Sequence, residues 1–177
     1  MQQPTILVLA SGRGERFKAS GGTVHKLQAL LAGKTVLERT LEAVRASGLP
    51  WHLENAGHPG MGDSIAAAVG ATRSAAGWLI LPADLPLIRA TTLQQVAMAL
   101  QAHEVAVPVF QGRRGHPVGF GAACGPALLD LKGNNGAAQV VRLHEAIELI
   151  VDDIGCVADI DTVDDLTRAE ALLDRAG

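Results

Sequence analysis

Ile6-Leu7-Val8-Leu9 is an uninterrupted apolar run, and the chain leaves it directly into Ala10-Ser11-Gly12-Arg13-Gly14. A short stretch that is apolar at every position, not every second one, is the pattern of a strand covered on both faces. Such a strand belongs in a parallel sheet between two helical layers, because parallel neighbours are joined by long, usually helical, crossovers. Composition agrees with that demand. Apolar residues make up 48% of the 177 positions and aromatics only 3%, so the core must be built from Leu, Val, Ile and Ala, which suits packed α/β layers better than an aromatic-rich sandwich. With no internal repeat and no linker composition, residues 1–177 are expected to form one α/β domain with a mostly parallel sheet.

The exit from this strand has a chemical character. Between Pro4 and Lys26 stand Arg13, Arg16, Lys18 and Lys26 against the single acid Glu15, in a chain whose net charge is −3. Glycines let main-chain N–H groups face a ligand closely, so the loop reads as a phosphate cradle. The alternative is a surface turn with solvated arginines. Phe17 stands where a dinucleotide fingerprint needs its third glycine, and no G-K-[ST] follows, so neither of those two motifs applies.

Periodicity predicts a helix over 35–47 with Leu37, Leu41 and Val44 on one face, a short strand at 51–54, and an Ala-rich helix opened by Ser64 and running to about Ala75. Trp78-Leu-Ile-Leu81 is a second buried strand. Thr92-Leu-Gln-Gln95 has the spacing of a capping box for the next helix. Val105 to Phe110 is a third strand, and Pro108 within it marks an edge or a bulge. His116 to Phe120 extends again, Gly125-Pro126 opens a short helix, Ala146 to Val151 is a further strand, and Thr162-Val-Asp-Asp165 caps the last helix.

Ligands of open parallel sheets bind beyond the carboxyl ends of the strands. Asp84 stands at such an end and is placed to ligate Mg²⁺, which favours a few carboxylates together with phosphate oxygens; the competing reading is a capped turn. Asp159 and Asp161 also lie between a strand and a helix, where they ligate metal or complement the helix dipole. None of the six histidines has zinc-site spacing; His103 and His144 read as solvated helix residues. Arg113-Arg114-Gly115-His116 joins two guanidinium groups to an imidazole in one turn, which suits a second anionic substrate or an exposed basic hairpin.

The sequence pI near 6 argues against general nucleic-acid binding. No apolar run reaches the ~20 residues of a membrane span, and the N-terminus lacks a secretory h-region. Cys124 and Cys156 have no motif spacing and read as reduced thiols of a cytoplasmic protein.

Taken together, these pieces resemble the MobA-like nucleotidyltransferase family, most closely its molybdenum cofactor cytidylyltransferase branch. The family's L-A-A-G-x-G-x-R with a later lysine is similar to Leu9-Ala-Ser-Gly-Arg-Gly-Glu-Arg16 with Lys26, its G-M-x-x-S to Gly60-Met-Gly-Asp-Ser64, and its G-D-x-P to Ala83-Asp84-Leu-Pro86. Its G-H-P-V is similar to Gly115-His-Pro-Val118, and its D-I-D-T-x-x-D-L to Asp159 through Leu166. Its G-D-x-G-A-R becomes Gly133-Asn-Asn-Gly-Ala-Ala138, and the segment before Gly60 is short. The resemblance implies a three-layer α/β/α Rossmann-like nucleotidyltransferase fold of the GT-A kind. It implies transfer of a nucleotidyl group, CMP from CTP, to the terminal phosphate of molybdopterin with release of pyrophosphate. The alternatives are a guanylyltransferase, a sugar- or alcohol-phosphate nucleotidyltransferase, or a non-catalytic nucleotide-binding module. The implied roles are Arg16, Lys26 and Asp84 in catalysis, and Asp84, Asp161 and Asp159 on Mg²⁺. Leu9, Ala10, Ser11, Gly12, Arg13, Gly14, Gly62 and Ser64 would hold the nucleotide, and Arg114 and His116 the acceptor. A molybdoenzyme or its maturation chaperone is the implied protein partner.

Overall fold

A computed structural model describes residues 2–177. In chain order the elements are β1 (Thr5–Leu9), α1 (Glu15–Ala19), a small ribbon of β2 (Leu30–Leu31) and β3 (Lys34–Thr35), α2 (Val36–Ala46), β4 (Trp51–Glu54), α3 (Met61–Ala71) and β5 (Gly77–Pro82). Then follow α4 (Ala90–Ala99), β6 (Val105–Phe110), β7 (Arg113–Arg114), β8 (Val118–Gly121), α5 (Gly125–Leu129), α6 (Ala138–Val141), β9 (Ile147–Ile150) and α7 (Val163–Ala176).

The apolar run at 6–9 lies in the interior of a seven-stranded sheet of order β4-β1-β5-β8-β6-β7, with β9 on the other side of β6. Every residue of β1 is buried. It pairs in parallel with β4 and β5, and β6 pairs in parallel with β9. Between the two parallel groups sits β8, antiparallel to both β5 and β6. The sheet is therefore mostly parallel, as expected, with one reversed strand near its centre.

Alternation along the strands feeds two cores. Ile6, Val8, Leu79 and Leu81 face α2 and α4, packing with Val36, Val44, Leu93 and Val96. Leu7, Trp78, Ile80 and Val107 face the opposite layer, packing with Ile65, Val69, Leu128 and Val140. Each fully buried Leu or Ile of this kind contributes about 1.5–3 kcal/mol. Leu37, Leu41 and Val44 lie on the core side of α2 as the periodicity requires. Capping boxes start α2 at Thr35 with Glu38 and α7 at Thr162 with Asp165.

Four local expectations are corrected. α3 begins at Met61, three residues before Ser64, and ends at Ala71. α4 has Arg89 at its N-cap and no side-chain cap. The Thr92 hydroxyl donates instead to Asp153 Oδ2 at 2.6 Å, so a partner 61 residues away displaces the local capping bond. Pro108 is inside the sheet, so of its two readings the edge is overturned and the bulge stands, since the chain facing it has two extra residues between the Ala106–Gly119 and Val109–Arg114 pairs. It falls where β6 changes partner from β8 to β7, so its missing N–H coincides with an interruption in the ladder. His103 and His144 lie outside any helix.

Candidate active site

The five parallel strands end on one side of the sheet, and the loops leaving β1, β4 and β5 meet there. The first of these is the glycine-rich loop. Gly14 adopts φ +67°, a left-handed conformation that L side chains rarely take, at the start of α1. A side chain placed at Gly12 would meet nothing within 4 Å, so the space beside this backbone is open. The N–H groups of Ser11, Gly12, Arg13 and Gly14 donate to no described residue. Phe17, in the place of a third glycine, is buried and anchors α1 to the core.

The loop is clasped from three directions. Ala10 N–H donates to Glu54 O at 2.9 Å, and Ser11 Oγ lies 2.6 Å from Ser64 Oγ in the first turn of α3. His25 is the third clasp, and sequence reasoning missed it. Its Nδ1 accepts from Leu27 N–H at 3.2 Å, so the neutral ring carries its proton on Nε2 and donates it to Gly12 O at 2.7 Å. Arg13 points into solvent beside Glu15.

Facing the loop is a cluster of opposite charges. Lys26 Nζ donates to Asp84 Oδ2 at 2.8 Å and lies 3.9 Å from Asp161 Oδ1, while Arg16 donates to Asp161 Oδ2 at 2.8 Å. The Asp161 hydrogen bond, then its charge, raises the Arg16 pKa. The backbone under Asp84 is fixed: Ala83 N–H donates to Leu9 O, Ile160 N–H to Asp84 O, and the buried Thr40 hydroxyl to Ala83 O. Burial first, and then the charge of Asp84, push the Asp159 carboxyl above its usual range. Thus Arg16, Lys26, Asp84, Asp159 and Asp161, scattered over 146 positions of the chain, share one end of the sheet.

Does this cluster suit a divalent metal? Asp84 Oδ1 is buried with no hydrogen-bond partner, a lone pair set aside at a strand end. Among the described residues, no three His, Cys, Asp or Glu side chains form a ready metal cage. The donor set fits Mg²⁺ or a similar hard cation, which takes one or two carboxylates and fills the remainder with phosphate oxygens and water.

The expected acceptor loop is divided. Arg113 and Arg114 are exposed neighbours on β7 and line different cavities. Arg114 Nε is held by Glu148 at 2.7 Å. His116 reaches the site because β8 is reversed: register pairs Ile80 with Val118, which sets the start of β8 beside the end of β5. Its N–H donates to Cys156 O at 2.8 Å, and its Nδ1 is buried without a hydrogen-bond partner. Burial lowers the His116 pKa against the opposing pull of Asp84 and Asp159, so the ring is neutral at pH 7. His116 and Arg114 line a cavity of about 520 Å³ whose walls are mainly apolar, including Leu9, Ile65, Ile80 and Val118.

Gly62 has a second use. Its N–H donates to Gly133 O at 2.8 Å, and a Cβ there would come 2.5 Å from Asn135 O, so this glycine is spent on contact with the 132–135 loop. Sequence reasoning also passed over Glu54. Buried at the end of β4, it accepts from His58 at 3.0 Å and His52 at 3.2 Å. These two bonds, set against the larger opposing effect of burial, leave its pKa below the usual value. Only its place on β4, in register with Leu9, could have flagged it. Both cysteines are buried free thiols, and burial pushes the pKa of Cys156 up to about 11.

The sequence profile of the MobA-like NTP transferase domain matches residues 42–148, more than half of the chain. The chain belongs to that family. A molybdenum cofactor guanylyltransferase of Cupriavidus pinatubonensis is 30% identical over 94% of this chain and 96% of its own. Among solved structures, Rv0371c of Mycobacterium tuberculosis is 24% identical with a TM-score of 0.80, covering 96% of this chain and 98% of its own. A manganese complex of the same protein has a TM-score of 0.76 at 23% identity, with the same coverage of each chain. At such identity these structures establish the shared fold. This member of the family is an NTP transferase, and among its described residues no helix is long and apolar enough to cross a membrane.

Proposed function

We propose that this chain transfers GMP from GTP to the terminal phosphate of a molybdopterin-type acceptor and releases pyrophosphate. The observation that carries the reading is the meeting of an open loop of free N–H groups with Arg16, Lys26, Asp84, Asp159 and Asp161 at one end of the sheet. Base choice rests on the relatives, which are named guanylyltransferases over 94% of this chain, so GTP ranks ahead of the CTP that the motifs first suggested.

The chemistry asks little covalent work of the protein. An acceptor phosphate monoester is already ionised near pH 7, so its oxygen attacks the α-phosphorus without a general base, and pyrophosphate leaves in line. Catalysis then consists of positioning and of positive charge around the transferring group. Backbone N–H groups from Ser11 to Gly14 hold the phosphates, and Arg16 and Lys26 turn from their carboxylate partners to phosphate oxygens. Ala10, Ser64 and the backbone around Gly62 lie toward the nucleoside, with Arg13 at the solvent rim. Asp84, Asp161 and Asp159 would hold Mg²⁺, which when bound neutralises charge on the reacting phosphates. His116, with Arg114 behind it, lies on the acceptor side.

The test measures pyrophosphate release with each of four NTPs, with and without molybdopterin. Release that needs molybdopterin and is fastest with GTP supports the reading. Faster release with CTP restores the cytidylyl alternative. Nucleotide binding without release under any condition leaves a binding module.

A further inference from the structure

The apolar cavity of about 520 Å³ falls within the size range of small-molecule sites, and its walls run from the strand ends Leu9 and Pro82 to α6. Pro82 precedes Asp84 by two residues, so the cavity adjoins the charged cluster. Sites of this type fix a flat ligand by burying it among apolar side chains and reading it with a few polar groups. Three polar side chains are available, His116, Arg114 and Arg142. Arg114 is committed to Glu148 at 2.7 Å. Arg142, in the cap position after α6, bonds only through its backbone, so its guanidinium is free among the described residues. Ala138 lies one turn earlier on the same face and lines the same cavity, and its methyl group leaves that face open to the longer side chain. His116 lines the same cavity, and its buried Nδ1 has no hydrogen-bond partner.

We infer that Arg142 determines acceptor specificity: its guanidinium binds the ring of a planar heterocycle rich in carbonyl or ring-nitrogen acceptors, lodged in the apolar cavity. Arg16 and Lys26 are left to the phosphate arm. A planar guanidinium suits such a ring, because it stacks on the face or donates two parallel hydrogen bonds to the edge, and lysine reproduces neither. This inference rests on the acceptor reading above.

The experiment compares wild type, Arg142→Ala and Arg142→Lys. With saturating GTP, Arg142→Ala should raise KM for molybdopterin about tenfold or more, the loss of a charged hydrogen bond, with GTP affinity and Tm unchanged. Arg142→Lys should recover little. A wild-type KM in Arg142→Ala overturns the inference while leaving the proposed reaction standing. Failure of wild type to turn over molybdopterin with any NTP defeats the proposed reaction instead. In that case pterin-6-carboxylate, titrated by its fluorescence, decides on Arg142. Binding by wild type that Arg142→Ala loses supports the role, whereas equal curves or no binding by either overturn it.

Discussion

Two glycines of the site carry opposite constraints, and alanine substitution separates them. Gly12 has open space where a Cβ would stand, and its φ lies outside the left-handed region. Gly12→Ala should keep stability within about 0.5 kcal/mol, as ordinary surface changes do, while weakening GTP binding in calorimetry. Gly62→Ala puts a methyl 2.5 Å from a backbone oxygen and should cost about 1–3 kcal/mol of overpacking, read as a lower Tm. Asp159 gives a test whose sign depends on pH. Its folded pKa is raised above the 3.8 of an ordinary Asp, chiefly by burial, so ionisation costs stability as pH climbs past that value. Asp159→Asn should therefore melt above wild type at pH 7. The advantage should vanish below about pH 3.8, where the wild-type carboxyl is protonated in both states. The same variant should lose turnover, if Asp159 serves the metal. A Tm at pH 7 at or below that of wild type would show that burial does not strain this carboxylate.

At the scale of elements, the joints between the helices and the sheet are polar and buried. Asp153, 2% exposed, accepts from the Thr92 hydroxyl at 2.6 Å, Arg89 N–H at 3.0 Å and Gly155 N–H at 2.9 Å, tying the start of α4 to the turn after β9. Asp153→Ala strands three donors and should cost about 3 kcal/mol, whereas Thr92→Val removes one hydroxyl and should cost about 1 kcal/mol. Urea unfolding measures both, and equal losses would mean that Asp153 acts only through Thr92. The cap at Thr162 was readable because donor and acceptor are three residues apart, and the Thr35–Glu38 box has that spacing too but was passed over. Thr92 has the same local spacing, and its bond to Asp153 could not be read from it.

Across the whole molecule, the two cations of the site are paired with Asp84 and Asp161 inside an independently packed frame. Lys26 and Asp84 are both more than four-fifths buried, and removing one partner of such a pair costs about 3–5 kcal/mol because it leaves the other uncompensated. A metal bound at Asp84 would therefore add to catalysis without being needed for folding. Chelation with EDTA should abolish pyrophosphate release and leave circular dichroism and Tm within about a degree of the untreated protein, since both cores are apolar. Unfolding on chelation would make the metal structural.

By itself, the sequence determined what short-range chemistry can specify. The apolar run at 6–9 demanded a covered parallel strand, the glycines after it demanded an open loop, and Asp84 after a second buried run demanded an acid at a strand end. These features need only neighbours along the chain, and their periodicity or turn chemistry is local. The tertiary structure alone decided the direction of β8, which brings His116 beside Asp84 when its neighbours in sequence, Arg113 and Arg114, diverge into separate cavities. It also decided that His25 holds Gly12, that Thr92 serves Asp153, and that of the cavity's arginines Arg114 is paired and Arg142 free. A side chain's partner is set by which strands lie side by side, and strand order is fixed by the burial of whole faces, a sum over many distant residues.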